Sequence, residues 1–271
     1  MSQPTASLSR LCGLWRRSII IRPDGTTDAT TSVRWLQGPT AYVDLRQPAA
    51  HPDFSGVRAL TELSWEDCVR LAGQEGFAGR LVCDGGWFEW QRCIDFQPRS
   101  GQADSGSLTW ELDVLVERGR EIAYVEHWHR DSHPTAAPVY ALTLRDVRGS
   151  RNALLVRVGP VFMFARDRNV VPRAAQTLSD CVIQAPSVER ARDLIDCEIS
   201  FGAVEAETFR ITASTLPYRV GDNLGPRYAE GGVTTHDRAP DGDAIGQRWE
   251  ITSYEGPWRG GLAGDGDASP P

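Results

Sequence analysis

Apolar and polar residues alternate over many short segments of this chain. Successive side chains of a β-strand point to opposite faces, so a period of two predicts strands rather than helices. Glycine and proline interrupt the segments at short intervals, as they do at turns between antiparallel strands. Many short strands with little helix favour a sandwich or a barrel. We therefore expect an all-β protein with minor helices.

The alternation predicts strands in both halves of the chain. Ser64 is placed to cap a helix that ends before Gly76, and Ser187 to cap one that runs to about Asp196. The segment 217–246 is rich in Gly, Pro and Asp and predicts a long loop. The predicted strands cover about 12–22, 29–37, 40–46, 77–84, 87–96, 107–117, 120–130, 138–146, 152–159, 161–167, 197–203, 206–213 and 247–255.

Two prolines within 133–138 indicate a boundary between two units. Gly13-Leu14-Trp15, on the first predicted strand, is the GxW pattern typical of lipocalin-like barrels, where the tryptophan closes the barrel floor. The sequence therefore predicts two fused antiparallel lipocalin-like β-barrels, one over 1–134 and one over 135–258. Residues 259–271 are rich in Gly, Asp and Pro and are expected to form a disordered tail.

Composition narrows the possible chemistry. All 29 basic residues are arginine, which excludes a Schiff-base lysine and a P-loop lysine. The net charge is −7 with no basic block, so nucleic acid is not an expected partner. We find no apolar run of about 18 residues and no secretory signal, so we expect no membrane partner and a cytoplasmic location. No GxGxxG or GxSxG motif is present, and we expect no cofactor.

The six cysteines and five histidines give little support for a metal site. No pair of cysteines has CxxC or zinc-like spacing, so reduced thiols are expected. His127 and His129 lie two residues apart on one predicted strand and are the only visible ligand pair. Two ligands are too few for a stable site, and we predict no bound metal.

Aromatic and charged residues share one face on five of the predicted strands. Because side chains alternate, the opposite faces of the first three strands carry mostly apolar or small residues such as Leu36, Val43 and Leu45. If the aromatic and charged face points inward, the first barrel holds a pocket with tryptophan walls and opposed charges. The alternatives are an outward face or a purely structural network of tryptophans and salt bridges. The residues on this face are Trp15, Arg17, Trp35, Tyr42, Asp44, Arg46, Trp90, Arg92, Tyr124, Glu126 and Trp128.

Three of these residues are the predicted catalytic group. Asp44 and Glu126 lie in the middle of predicted strands and could transfer a proton, while Arg46 could hold a substrate oxygen. The other eight are predicted to bind the ligand. Burial would raise the pKa of a carboxyl and a neighbouring arginine would lower it, and the sequence does not decide between them. Asp104 and Glu117 are interpreted as structural.

Several segments, taken in order, resemble the fungal Hri-one family. They are Trp87-Phe-Glu-Trp90-Gln-Arg92, Gly106-Ser-Leu-Thr-Trp110, Glu126-His-Trp128, Leu154-Leu-Val-Arg-Val-Gly159 and Arg248-Trp249-Glu250-Ile251-Thr-Ser-Tyr254. The resemblance spans about 10–256 and implies two lipocalin-like barrels in one chain. The segments Trp35-Leu36-Gln37 and Tyr42-Val-Asp44-Leu-Arg46 depart from the fungal pattern and look like a bacterial branch. The fungal family is known for interactions rather than a settled activity, so the resemblance implies a fold and leaves the function open.

These observations predict a lipocalin-like protein that binds a small molecule and is a cofactor-independent enzyme. The expected reaction is an acid/base hydration, isomerisation, elimination or cyclisation of an aromatic or partly hydrophobic substrate, as in a lyase, isomerase or cyclase. The alternatives are a non-catalytic carrier or sensor and a protein-interaction module. A homodimer is a further possible assembly.

Overall fold

The computed structural model describes residues 6–49, 54, 56–99, 101–132, 137–149, 151–174, 176–229 and 232–257. The first sheet has the order β2-β1-β3-β4-β5-β6-β7-β8-β9, and β1 also pairs with β9. That pairing closes an antiparallel barrel of eight strands, with the short β2 attached to the end of β1. Its strands are β1 (Gly13–Ile21), β2 (Thr27–Asp28), β3 (Ser32–Gln37), β4 (Ala41–Gln47), β5 (Glu75–Asp84), β6 (Trp87–Asp95), β7 (Ser105–Glu111), β8 (Val114–Gly119) and β9 (Val125–Arg130).

The second sheet has eight strands in the order β14-β13-β12-β11-β10-β17-β16-β15. Its strands are β10 (Val139–Asp146), β11 (Asn152–Val158), β12 (Val161–Arg166), β13 (Glu198–Glu205), β14 (Thr208–Ser214), β15 (Arg227–Ala229), β16 (Gly232–Arg238) and β17 (Ala244–Glu255). Leu224 donates its backbone N–H to Phe209 of β14 and accepts one from His236 of β16, both at 2.8 Å. This segment therefore connects two separated strands and curls the sheet.

The prediction of an all-β protein with two antiparallel barrels is confirmed. The predicted boundary at 134/135 and the predicted tail over 259–271 lie outside the described residues.

Three helices accompany the sheets: α1 (Trp65–Leu71), α2 (Leu178–Ile183) and α3 (Val188–Ile195). Ser64 caps α1 as expected, and its hydroxyl accepts from the backbone N–H of Asp67 while the Asp67 carboxylate bonds back to Ser64. Ser187 caps α3 by accepting from the backbone N–H of Arg190. Helix α2 was not predicted, although Thr177 and Asp180 form a similar capping box at its start.

Three sequence-based boundaries are wrong. The predicted strand 107–117 is the hairpin of β7 and β8, which turns at Leu112 with a left-handed φ of 59°. The helix expected to reach 75 ends at Leu71, and 75–76 open β5 instead. The predicted loop 217–246 contains β15 and β16, because these strands lack the run of apolar residues that would reveal them.

The largest apolar core lies between the two barrels. It joins the outward faces of β3 and β4, including Leu36 and Val43, to residues of the second unit such as Val156 and Met163. The helices contribute side chains such as Leu194 to the same core. The aromatic and charged face of the first barrel consequently points inward, which excludes the outward face among the alternatives that the sequence left open.

Candidate functional site

Tryptophans fill the lower part of the first barrel. Trp15 and Trp35 stack with ring centroids 5.8 Å apart, and Trp128 meets Trp35 edge-on at 5.4 Å. The indole N–H of Trp15 donates to the carbonyl oxygen of Leu11 at 2.7 Å, below the floor of the barrel. All three indoles are buried, so this layer is a packed floor.

Ion pairs form the next layer. Arg17 lies 2.5 Å from Glu126, and Arg46 lies 2.9 Å from Asp44 and 3.4 Å from Glu126. Burial raises the pKa of Asp44, and Arg46 opposes that shift. The structure thus brings together four of the predicted site residues, from three different strands.

Glu117, which sequence reasoning took as structural, belongs to this interior. It is 3% exposed and accepts hydrogen bonds from the Tyr124 hydroxyl at 2.6 Å and from the Trp128 indole at 3.0 Å. Burial, and then the charges of Glu126 and Asp104, raise the pKa of Glu117 well above its ordinary value. The residue lies in the middle of β8 opposite Glu126, and the missed turn at 112 had placed it at a strand end.

A pocket of about 670 Å³ opens at the end of the barrel where β6 ends and β7 begins. We call this feature the mouth pocket. The side chain of Arg92 crosses the mouth pocket. Its guanidinium nitrogens lie 3.1 Å from the carboxylate of Asp95 and 2.5 Å from that of Asp104. Its guanidinium carbon lies 3.5 Å from the centre of the Phe77 ring. The mouth pocket is lined by Glu75, Phe77, Glu89, Trp90, Gln91, Arg92, Asp95, Gln97, Pro98, Arg99, Gly101, Gln102, Ala103, Asp104, Ser105, Glu121, Ile122 and Tyr124.

Two buried polar atoms near this pocket have no hydrogen-bond partner among the described residues. They are the hydroxyl oxygen of Tyr42 and the Nε of Arg92. Burial raises the pKa of Tyr42 well above its ordinary value, so the hydroxyl keeps its proton and is a donor. Buried donors normally have a partner, and an acceptor atom of a ligand or a water would satisfy these two.

The charges around the mouth pocket are mainly negative. Its lining contains five carboxylates and two guanidiniums, those of Arg92 and Arg99. Arg92 is paired with Asp95 and Asp104, and Glu121 has Arg120 within 3.7 Å, while Glu75 and Glu89 add further negative charge to the lining. Such a site attracts cationic molecules, disfavours anions and leaves neutral molecules unaffected.

The predicted site residues thus divide into two groups within one barrel interior. Trp90, Arg92 and Tyr124 line the mouth pocket. The remaining eight belong to the barrel interior but do not line the mouth pocket: Trp15, Arg17, Trp35, Tyr42, Asp44, Arg46, Glu126 and Trp128.

The two histidines lie on the other face of β9. His129 Nε2 is 3.0 Å from the Ser18 hydroxyl, and His127 is opposite Ile19 of β1. The described residues contain no cluster of three or more His, Cys, Asp or Glu suited to a metal ion.

The second barrel has its own buried charges. Arg219 lies 3.1 Å from Glu198, and Arg166 lies 3.7 Å from Glu198 and 3.6 Å from Asp237. All four side chains are buried, and each has an opposite charge within reach. Sequence reasoning did not single out these residues, because they come from separated segments with no aromatic pattern.

Comparison with known proteins gives no information about the function of this chain. No family model and no curated protein matches the chain. Among solved structures, the chain is similar to the uncharacterized protein YLR301w from Saccharomyces cerevisiae, with 12% identity over 89% of this chain and 98% of that chain and a TM-score of 0.49. A likeness at this level carries no argument about the site.

The described parts of the chain contain no helix with the length and apolarity needed to cross a bilayer. By its fold, the chain is an all-β protein of two antiparallel barrels. Its candidate site is the interior of the first barrel, with the mouth pocket as the accessible part.

Proposed function

We propose that this protein binds a small amphipathic molecule in the mouth pocket of the first barrel. The observation that carries the proposal is that Trp90, Arg92 and Tyr124 line one pocket of about 670 Å³ together with Phe77. A cavity of this volume suits a small molecule, and aromatic walls with a few polar groups are typical of ligand sites. The lipocalin-like character and the resemblance to the Hri-one family remain predictions that agree with this role.

The lining indicates the chemistry of the ligand. Phe77, Trp90 and Tyr124 offer aromatic surface for a flat apolar body. The excess of carboxylates favours a neutral or cationic molecule over an anion. The partly exposed guanidinium of Arg92 favours a ligand with a hydrogen-bond acceptor. An aromatic compound with a carbonyl or ether oxygen meets all three conditions.

Binding is better supported than catalysis by Asp44, Arg46 and Glu126. These three side chains are paired with one another or with Arg17, and none of them lines the mouth pocket. A carrier or sensor is therefore the first proposal. Acid/base catalysis by a cofactor-independent enzyme is the second, and the buried carboxyl of Glu117 next to Tyr124 favours it.

Two fluorescent probes with the same aromatic body test the proposal. N-phenylnaphthylamine is neutral, and anilinonaphthalene sulfonate carries an added negative charge. We expect the neutral probe to bind at about a 1:1 ratio and at least about tenfold more tightly than the anion, because of the carboxylates in the lining.

A matched pair of variants locates the binding. Ala103 lines the mouth pocket and is exposed, so Ala103→Trp should fill the pocket and weaken the neutral probe at least about tenfold. Ala123 is exposed on a neighbouring loop and does not line the pocket, so Ala123→Trp should leave the affinity unchanged. Equal affinities for both variants and the wild type would refute the mouth pocket as the site and favour the interaction-module alternative.

A further inference from the structure

Glu117 differs from the ion-paired carboxylates of the barrel interior because no guanidinium pairs with it. Asp44 pairs with Arg46, and Glu126 pairs with Arg17 and Arg46. In the described part of the chain, Glu117 forms hydrogen bonds and no ion pair. A buried carboxylate without a positive partner is costly, so the neutral acid is the form that suits this position.

The charged groups that face Glu117 reinforce this preference. Glu126 lies directly opposite on β9, and Asp104 approaches from the segment before β7. Burial is the largest cause of the raised pKa, and the charges of Glu126 and Asp104 come next. The hydrogen bond from Tyr124 and the charge of Arg46 on β4 lower the pKa and have smaller effects.

The hydrogen bonds indicate which oxygen carries the proton. The indole N–H of Trp128 can only donate, so Glu117 Oε2 must act as an acceptor. In the neutral acid the proton is then on Oε1, and the bond that Tyr124 donates to the ionised carboxylate at 2.6 Å reverses its direction. With Oε1 as the donor, the Tyr124 hydroxyl is free to donate to Asp104, 3.5 Å away, or into the mouth pocket.

We propose that Glu117 holds a proton at neutral pH and delivers it through Tyr124 to a molecule in the mouth pocket, a role that rests on the proposed binding function. The O–H bond of Glu117 breaks as its proton moves to the Tyr124 oxygen. The original tyrosine proton moves to a basic atom of the ligand, where a new O–H or N–H bond forms. Glu117 is left as a carboxylate that accepts from Trp128 and Tyr124.

This step defines a substrate class. The ligand must present a basic atom to Tyr124, as the nitrogen of an imine does, because a carbonyl oxygen is too weak a base to remove this proton. The aromatic walls of the pocket favour an aromatic or otherwise apolar body. Tyr124 is the catalytic residue because it touches the ligand, and Glu117 supplies its proton from below.

Infrared spectroscopy of the wild type tests the protonation directly, without any ligand. In protein grown with isotopically labelled glutamate carboxyls, we expect the carbonyl band of one protonated glutamate at pH 7. Glutamate labelling separates this band from Asp44 and Asp95, whose pKa values burial also raises. The band should be lost in Glu117→Gln. If the wild type shows only ionised glutamates at pH 7, the proposal is wrong, and this result does not depend on whether a variant folds.

Hydrogen exchange tests the relay. On transfer to heavy water the band of Glu117 should shift rapidly in the wild type and at least about tenfold more slowly in Tyr124→Phe, which keeps the ring and removes the hydroxyl. Equal exchange rates would refute the path through Tyr124. The fluorescent probes measure the pocket independently, so a failure of the relay with intact probe binding refutes this inference alone.

Discussion

The Arg17–Glu126 ion pair provides a quantitative test of the charged interior. The two side chains are 5% and 2% exposed and lie 2.5 Å apart. Glu126→Gln keeps the size of the side chain and removes its charge, so the change isolates electrostatics from packing. In this variant Arg17 still has Asp28 as an ionic partner at 3.5 Å, and Arg46 still forms its ion pair with Asp44.

Removing one partner of a buried pair costs roughly 3–5 kcal/mol, because the other charge stays buried without compensation. Asp28 is 18% exposed and supplies part of the lost attraction to Arg17. We therefore expect Glu126→Gln to lower the free energy of unfolding by about 3 kcal/mol, at the lower end of that range. Equilibrium unfolding in urea, followed by tryptophan fluorescence, measures the change in stability at an unchanged slope.

The surface pair Arg118–Glu111 is the control. Its atoms are 2.9 Å apart, but the side chains are 47% and 36% exposed. Glu111→Gln should change the stability by no more than about 0.5 kcal/mol. The double variant Arg17→Met/Glu126→Leu should recover more than half of the loss, because an apolar pair needs no compensation. Equal costs for Glu126→Gln and Glu111→Gln would refute the view that the interior charges depend on one another.

Three further predictions concern the scaffold. Gly79→Ala should cost at least about 2 kcal/mol in urea unfolding, because its Cβ would lie 1.9 Å from the Gln91 carbonyl oxygen. Hydrogen bonds from Thr31 and Thr30 lower the pKa of Asp28 below its unfolded value. Asp28 therefore stabilises the fold above about pH 4, and this stabilisation is lost on acidification. Between about pH 7 and pH 3, the melting temperature should fall less in Asp28→Asn than in the wild type. All six cysteines are free, so a reducing agent should leave the melting temperature unchanged, and a large decrease would contradict the structure.

The sequence predicted which side chains share a face better than it predicted which way that face points. On β3 and β4 the apolar residues Leu36, Val43 and Leu45 alternate with Trp35 and Asp44. The usual expectation is that the apolar face points into a barrel. Here that face packs against the second barrel, so both faces are buried and alternation alone does not show which is inside.

Two features of the site could not be predicted from the local sequence pattern. The turn at Leu112 contains neither Gly nor Asn, so nothing indicated that β7 ends and β8 begins there. Glu117 was consequently placed at a strand end rather than opposite Glu126. The mouth pocket depends on two loops, before β7 and before β9, that approach each other only after the barrel has closed. Contacts between loops that are far apart in the chain leave no periodic pattern in the sequence, so the pocket could not be predicted from it.

The core between the barrels makes the two units parts of one cooperative structure. Gly38 and Gly76 of the first barrel approach Val156 and Ile199 so closely that a Cβ at either glycine would lie 3.1 Å from those side chains. Either barrel produced alone would expose this apolar surface to water, where it favours aggregation. Truncation is therefore unsuited to locating function in this chain, and heating should unfold both barrels in a single transition, with equal calorimetric and van't Hoff enthalpies.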